Sequence, residues 1–328
     1  SQSRRLSGKR AFGALALAPV LLVLVWIYGD FRIRQMDSLM KNAPKSAMAV
    51  VQGNIEQSLK WEPSFQGETL RKYIALSLGT KPDVPDLVVW PETAAPFYFL
   101  FEEPLTREVV AGIQSMGTDF LFGAPSFSMR TREDIDYFNS AYLVDARGRV
   151  LGKYDKAHLV PYGEYVPFKK WLPFIGKIVE HVGDFQAGPE GAVLPWKDFN
   201  LGILICYEGI FPDLAGKAVK NGASVLLNLT NDAWYGRTSA PYQHYSMAVF
   251  RAVENRRALV RSANTGFSGF IDANGRILVS TDLFTDAALT RRVPMLSGLT
   301  PYTRLGDGFA WICLLLSAGL VLFSKNHP

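Results

Sequence analysis

Between residues 46 and 300 short apolar runs alternate with amphipathic ones, and that alternation predicts a layered α/β domain. MAVVQGNI (48–55) reads as a strand and FQGETLRKYIALSLG (65–79) as a helix. DLVVWPE follows as a strand, EPLTREVVAGIQSMG as a helix and DFLFGAPS as a strand. NSAYLVDARGRVLGKYDK has the pattern of a hairpin turned at DARG. LGILICY and ASVLLNLT are strands on either side of a helix running from about Phe211 to Asn221. PYQHYSMAVFRAVENRRALV opens as a helix and ends as a strand, and GFSGFIDANGRILVS is a second hairpin turned at DANG. Strands alternating with helices call for parallel pairing, while the hairpins add antiparallel strands, so a mixed sheet is expected. There is no internal repeat or low-complexity stretch to divide this region, which reads as one domain.

Outside it the pattern changes. Residues 11–28, AFGALALAPVLLVLVWIY, and 308–324, GFAWICLLLSAGLVLFS, carry no charge. As helices either would reach roughly 25 Å, close to the hydrocarbon core of a bilayer. Both contain aromatic residues and have charged flanks, as membrane spans do. A signal peptide is the alternative for the first run, though GDFRIRQMD follows where a small-residue cleavage site would stand. A buried core helix is the alternative for the second. Two spans place both termini on one side and residues 30–307 on the other. Arg4, Arg5, Lys9 and Arg10 before the first span balance Arg32, Arg34, Lys41 and Lys45 after it, so charge does not set the orientation. The expected organisation is a basic flank and membrane helix over 1–29, a linker over 30–45, a catalytic domain over 46–300, and a second membrane helix with a short tail over 301–328.

Composition narrows the function. The chain has 328 residues, is 48% hydrophobic, has a mean hydropathy of +0.06 and carries a formal charge of +5. It has no Lys/Arg block and no aromatic RNA-binding motif, so a nucleic-acid partner is not expected; basic residues near the apolar runs suit anionic lipid heads. There is no zinc-ligand pattern, and neither metal nor cofactor is expected. Only two cysteines are present, Cys206 and Cys313. Just one lies between the apolar runs, so that region can form no internal disulfide.

The candidate chemistry sits at the ends of apolar strands. Cys206 closes LGILIC, where a side chain projects into the crevice in which α/β folds hold ligands. A thiol is only a few per cent ionised at neutral pH, so a nucleophilic Cys206 needs a base or a cation; a buried core cysteine is the other reading. Glu92 in LVVWPET ends another strand and is a base if apolar surroundings hold it, or a capping carboxylate if not. Lys156 in GKYDKAHLVPYGEYVP would favour thiolate and stabilise an oxyanion beside a thiol, and is a solvated cation elsewhere. Glu164 follows between Gly163 and Tyr165. Two long loops, TAAPFYFLFEEP (93–104) and VPYGEYVPFKKWLPFIGKIVEHVGDF (160–185), are rich in proline and large apolar residues. They are either packed surface or lipid-contacting lids.

Glu in VVWPET, Lys in GKYDKAHLVPYGE and Cys in LICYEGIFP occur in the order and context of the Glu–Lys–Cys triad, so the chain resembles the nitrilase superfamily over nearly all of residues 45–295. QGNIEQSLKW, HLVPYGEYVP, CYEGIFPD and NLTNDAWYG resemble one branch in particular, the apolipoprotein N-acyltransferases of the bacterial inner membrane. That family carries further membrane helices before the catalytic domain, so the chain looks like the C-terminal portion of such a protein. The resemblance implies a four-layer αββα sandwich flanked by transmembrane helices, with the catalytic domain in the periplasm. It implies Cys206 as nucleophile, Glu92 as general base and Lys156 at the oxyanion, with Glu164, Tyr207 and Glu208 supporting them. Trp61, Asn231 and Trp234 fall in motifs near the pocket, and Trp171 and Phe174 belong to the apolar loop expected to contact lipid. The implied donor is a phospholipid and the implied acceptor the N-terminal amine of a diacylglyceryl-cysteine lipoprotein. A membrane-tethered amidase would share the triad, whereas a non-enzymatic scaffold would have no need of all three groups.

Overall fold

The computed structural model describes residues 2–129, 131, 135–165, 167 and 185–326, with side chains described between 19 and 323 within those bounds. It divides into two compact units, Ser1–Ala43 and Pro44–Pro328. The first is a single helix, α1 (Gln2–Asn42), which has Pro19 inside it and continues through most of the stretch expected as a linker. Its large apolar side chains from Val20 to Tyr28 are exposed. Among the described residues no helix is long and apolar enough to cross a membrane. The side chains of 11–18 in the first apolar run, and of 324 at the end of the second, lie outside the described ones.

The second unit contains, among the described residues, two six-stranded sheets. The first is built from β1 (Lys45–Gln52), β2 (Leu87–Val89), β3 (Asp119–Met129), β4 (Ile135–Val144), β5 (Val150–Asp155) and β12 (Ala287–Pro294), in the order β12-β1-β2-β3-β4-β5. The second is built from β6 (Val193–Trp196), β7 (Phe199–Ile205), β8 (Val225–Thr230), β9 (Leu259–Ala263), β10 (Gly269–Ile271) and β11 (Ile277–Ser280), in the order β11-β10-β9-β8-β7-β6. Each sheet has three parallel strands at its centre, β1-β2-β3 in one and β7-β8-β9 in the other, with antiparallel strands on both sides. The strand pleat sends alternate residues to opposite faces. Met48 and Val50 of β1 therefore join Leu227, Leu229 and Val260 in an apolar layer between the sheets. Ala49 and Val51, their neighbours, pack with Leu70 and Tyr73 of α2 (Pro63–Gly79) and with Val109 and Ile113 of α3 (Glu103–Met116). On the far side Leu204, Leu226 and Leu259 meet α4 (Pro212–Lys220) and α5 (Ala240–Asn255). The result is the αββα sandwich that the family resemblance implies. A buried Ser262 hydroxyl on β9 donates to the carbonyls of Val51 and Val89, which joins the two sheets at their centre.

Two strands were not legible in the hydropathy pattern. β6 contains Pro195, which suits an edge but breaks the strand signature. β12 reads AALTRRVP, with adjacent exposed arginines in place of clean alternation. Both lie at sheet edges. After β12 come α6 (Pro301–Leu305) and α7 (Gly308–Asn326). Thr300 caps α6, its hydroxyl accepting from the Thr303 N–H and donating to the Glu254 carbonyl, so this segment is tied to the end of α5.

Candidate active site

The carboxyl ends of the parallel strands of both sheets supply several of the candidate residues. β2 runs into Trp90, Pro91 and Glu92, β7 into Cys206, and β8 into Asn231 and Asp232. Glu92 is held in place by its own backbone. The Gly123 N–H of β3 donates to the Pro91 carbonyl and the Ala95 N–H to the Gly123 carbonyl, so the Glu92 segment lies flat along β3. That closeness leaves no room at Gly123, where a Cβ would stand 2.4 Å from the Thr93 nitrogen and 2.7 Å from the Glu92 Cα. Gly123→Ala is therefore expected to displace Glu92. A melting curve should show a loss of about 1–3 kcal/mol of stability, and the thiol-acylation rate should fall about 100-fold.

Lys156 follows β5 and is 1% exposed. Its N–H donates to the Asn139 carbonyl across the β4–β5 ladder, which sets the two side chains as cross-strand neighbours. Lys156 Nζ donates to Glu164 Oε1 at 2.9 Å and lies 3.6 Å from Glu92 Oε1. Asn139 Nδ2 donates to Glu92 Oε1 and to Glu164 Oε1, both at 2.8 Å. Both neighbours are acceptors, so the amino end of this amide must face them. The other oxygen of Glu164 accepts the Val160 N–H at 2.9 Å. Glu92, Lys156 and Glu164 thus form one buried cluster with Asn139 at its centre. Burial opposes the Lys156 charge, but the charges of Glu92, Cys206 and Glu164 outweigh it and hold the ammonium above the ordinary lysine range.

Cys206 begins a 3-10 turn, Cys206–Ile210, with a backbone φ of +52°. A non-glycine residue in the left-handed region costs roughly 1–2 kcal/mol and persists only where its surroundings fix it. The residue as a whole is partly exposed. Burial of the sulfur, then the charges of Glu92 and Asp232, push the thiol up to about 12, against the pull of Lys156. It is therefore protonated at rest, and attack needs a base to take the proton.

Glu208 works behind this turn. It is buried and accepts from the Ile205 N–H at 2.6 Å, the Ala157 N–H at 2.7 Å, the His158 N–H at 3.0 Å and the Tyr154 hydroxyl at 3.1 Å. It thereby clamps the strand bearing Cys206 to the residues following Lys156. Burial pushes its carboxyl up to about 7, while the three N–H donors and Lys156 pull it back. Tyr207 is partly exposed and meets Phe211 edge to face.

Of the residues expected near the pocket, Asn231 is buried, donates to Gln57 Oε1 at 2.7 Å and accepts from Asn264 Nδ2 at 3.1 Å. Through Gln57 it is tied to the turn that leads to Trp61. Trp61 is 51% exposed and Trp234 74% exposed, so both indoles lie at the surface. Trp171 and Phe174 lie outside the described residues. Sequence reasoning missed Asn139 and Lys60. Lys60 is 2% exposed and donates to the Glu92 main-chain carbonyl at 3.0 Å. Burial lowers its ammonium to about 8, against the raising effect of Glu92 and Cys206. Its place in QSLKW beside Trp61 was the available signal. Among the described residues no cluster of His, Cys, Asp and Glu is placed to hold a metal ion.

A cysteine in a left-handed backbone conformation, two carboxylates and a buried lysine are the groups that thiol-dependent covalent chemistry uses. The chain belongs to the carbon-nitrogen hydrolase family, whose profile matches residues 47–297. Its fold is similar to that of an amidase from Nesterenkonia sp. of the nitrilase superfamily, with a TM-score of 0.57 at 19% identity over 77% of this chain and 93% of that one. It is 46% identical over 302 residues to an apolipoprotein N-acyltransferase of Geobacter metallireducens, covering 92% of this chain and 57% of that protein. It is 36% identical over 318 residues to an apolipoprotein N-acyltransferase of Brucella melitensis, covering 92% of this chain and 58% of that protein. The chain thus spans somewhat more than half the length of these relatives.

Proposed function

We propose that the protein is an N-acyltransferase that moves an acyl chain from a phospholipid, through a Cys206 thioester, to the N-terminal amine of a diacylglyceryl-cysteine lipoprotein. The observation that carries the reading is the buried Glu92–Lys156 pair, whose charges act on the Cys206 thiol, in a chain so similar to two apolipoprotein N-acyltransferases. Glu92 takes the thiol proton as sulfur attacks the ester carbonyl. Negative charge collects on the carbonyl oxygen beside the Lys156 ammonium. Collapse breaks the ester C–O bond, Glu92 returns the proton to the leaving alkoxide, and a lysophospholipid departs. The acceptor amine then attacks the thioester and gives its proton to Glu92. The C–S bond breaks, and the thiolate is reprotonated by Glu92 as the amide leaves. Atoms and charge balance over the cycle, which is ping-pong.

In this reading Trp61 and Trp234 meet substrate at the surface, and Glu164, Tyr207 and Glu208 support the triad. The two apolar runs are membrane spans, the protein sits in the bacterial inner membrane, and residues 46–300 face the periplasm as the catalytic domain. The α7 side chains from Phe309 to Phe323 support this, since those of Phe309, Trp311, Ile312, Leu314, Leu315 and Leu316 are all more than half exposed and call for an apolar surrounding. The test is incubation with phospholipid and a synthetic diacylglyceryl-cysteinyl peptide. Stoichiometric lysophospholipid and N-acylated peptide are expected. Free fatty acid with unmodified peptide would instead establish a hydrolase.

A further inference from the structure

A second buried cluster lies behind Cys206, and the mechanism above does not use it. The Cys206 carbonyl lies within hydrogen-bond distance of His244 Nε2 at 3.1 Å and of Asn228 Nδ2 at 3.3 Å. A carbonyl oxygen can only accept, so Nε2 carries a proton. His244 Nδ1 lies 3.0 Å from Asp232 Oδ1, and Asp232 Oδ2 accepts from Arg261 Nη2 at 2.8 Å. Arg261 Nη1 in turn donates to Asn228 Oδ1. The chain of contacts closes on itself, from the Cys206 carbonyl through His244, Asp232, Arg261 and Asn228 back to the same oxygen. All four side chains are buried. Gly266 packs so tightly on this ring that a Cβ there would stand 2.1 Å from Asp232 Oδ2.

The ring holds the backbone carbonyl of Cys206 itself. Cys206 sits in a left-handed conformation that its own side chain disfavours. A planar trans peptide points its C=O and the following N–H in opposite directions. Gripping the Cys206 oxygen therefore aims the Tyr207 N–H, and it resists rotation about the Cys206 Cα–C bond that would swing the side chain away. Tyr207 stands in the first turn of the 3-10 segment, where N–H groups have no partner within the turn. We propose that His244, fixed by Asp232 and Arg261, is a positioning residue that locks the peptide after Cys206 and so keeps the thiol and the Tyr207 N–H in reacting geometry. The proposal rests on the reading of Cys206 as nucleophile. A role confined to fold stability would leave the reactivity of any folded variant unchanged.

The test uses the full chain with His244→Leu and His244→Gln, acylated by a small soluble p-nitrophenyl ester and followed by intact mass. Glutamine carries an N–H that can replace Nε2–H, and leucine does not. In folded His244→Leu the acylation rate should fall about 100-fold, the scale of a misplaced reacting group. His244→Gln should recover most of it. Labelling the cysteine carbonyls with 13C gives two signals, from Cys206 and Cys313. One of them should move upfield in His244→Leu and return in His244→Gln. A folded His244→Leu that acylates at the wild-type rate, or leaves both carbonyl signals in place, overturns the proposal. So does a folded His244→Gln as slow as His244→Leu. If the leucine variant does not fold, 15N-histidine spectra of the wild-type protein decide: a protonated His244 Nε2 is required, and a bare one refutes the role. A wild-type protein that is never acylated would overturn the nucleophile assignment instead, while the carbonyl and nitrogen signals still report on the ring.

Discussion

Cys206→Ala, incubated with phospholipid, should stay at its unmodified mass and form no amide product. The loss should be at least about 10⁴-fold, the scale for removing the nucleophile of a triad that works as a unit. The change deletes one sulfur atom from a partly exposed residue and leaves the left-handed backbone to a side chain of similar demand. Its melting temperature should stay close to that of the wild type. Cys206→Ser should be equally inactive, because a hydroxyl is a poorer nucleophile at the same position. Product formation by either variant at a measurable fraction of the wild-type rate would place the nucleophile elsewhere.

Glu92→Gln should slow acyl-enzyme formation by about 10²–10⁴-fold, the range for a general base. The effect has a sign that separates it from a structural lesion. With the thiol pushed up to about 12 in the wild type, it is protonated throughout the neutral range. Replacing Glu92 removes a negative neighbour and so lowers the thiol pKa, which increases thiolate at any given pH. Simple alkylation by iodoacetamide should therefore speed up in Glu92→Gln while acylation by phospholipid collapses. The residual acylation should climb with pH, tenfold per unit below the thiol pKa, because hydroxide then does the work of the missing base. Parallel loss of alkylation and acylation would show that the glutamine had disordered the site. Wild-type acylation in the variant would remove Glu92 from the mechanism.

Position at the ends of apolar runs made Glu92, Lys156 and Cys206 candidates, but each alone read equally as an ordinary capping, surface or core residue; what singled out the trio was its order and motif context, which resemble the nitrilase superfamily. The layered α/β class was legible because short apolar strands alternate with helical segments over most of the domain, whereas the four-layer sandwich followed only from the family resemblance. What escaped was whatever acts through tertiary contact. Asn139 lies inside a strand whose hairpin partner brings Lys156 beside it, and one residue in NSAYLV carries no local sign of bridging two carboxylates. Lys60 reads as a surface cation until the fold buries it against the Glu92 carbonyl. Asn228, Arg261 and His244 are spread over β8, β9 and α5, and only the packing of those elements reveals a ring around the Cys206 oxygen. Edge strands β6 and β12 escaped for a different reason, since an edge admits proline and exposed arginine that a central strand would reject.

Passage of the acyl group through Cys206 can be followed by the intact mass of the chain after incubation with phospholipid, with peptide mapping of any adduct. The peptide containing Cys206 should gain one acyl chain, released by hydroxylamine and discharged onto the amine of a diacylglyceryl-cysteinyl peptide. Accumulation of acylated peptide from a protein that never carries the acyl group, or an adduct mapped to a residue other than Cys206, would contradict passage through Cys206.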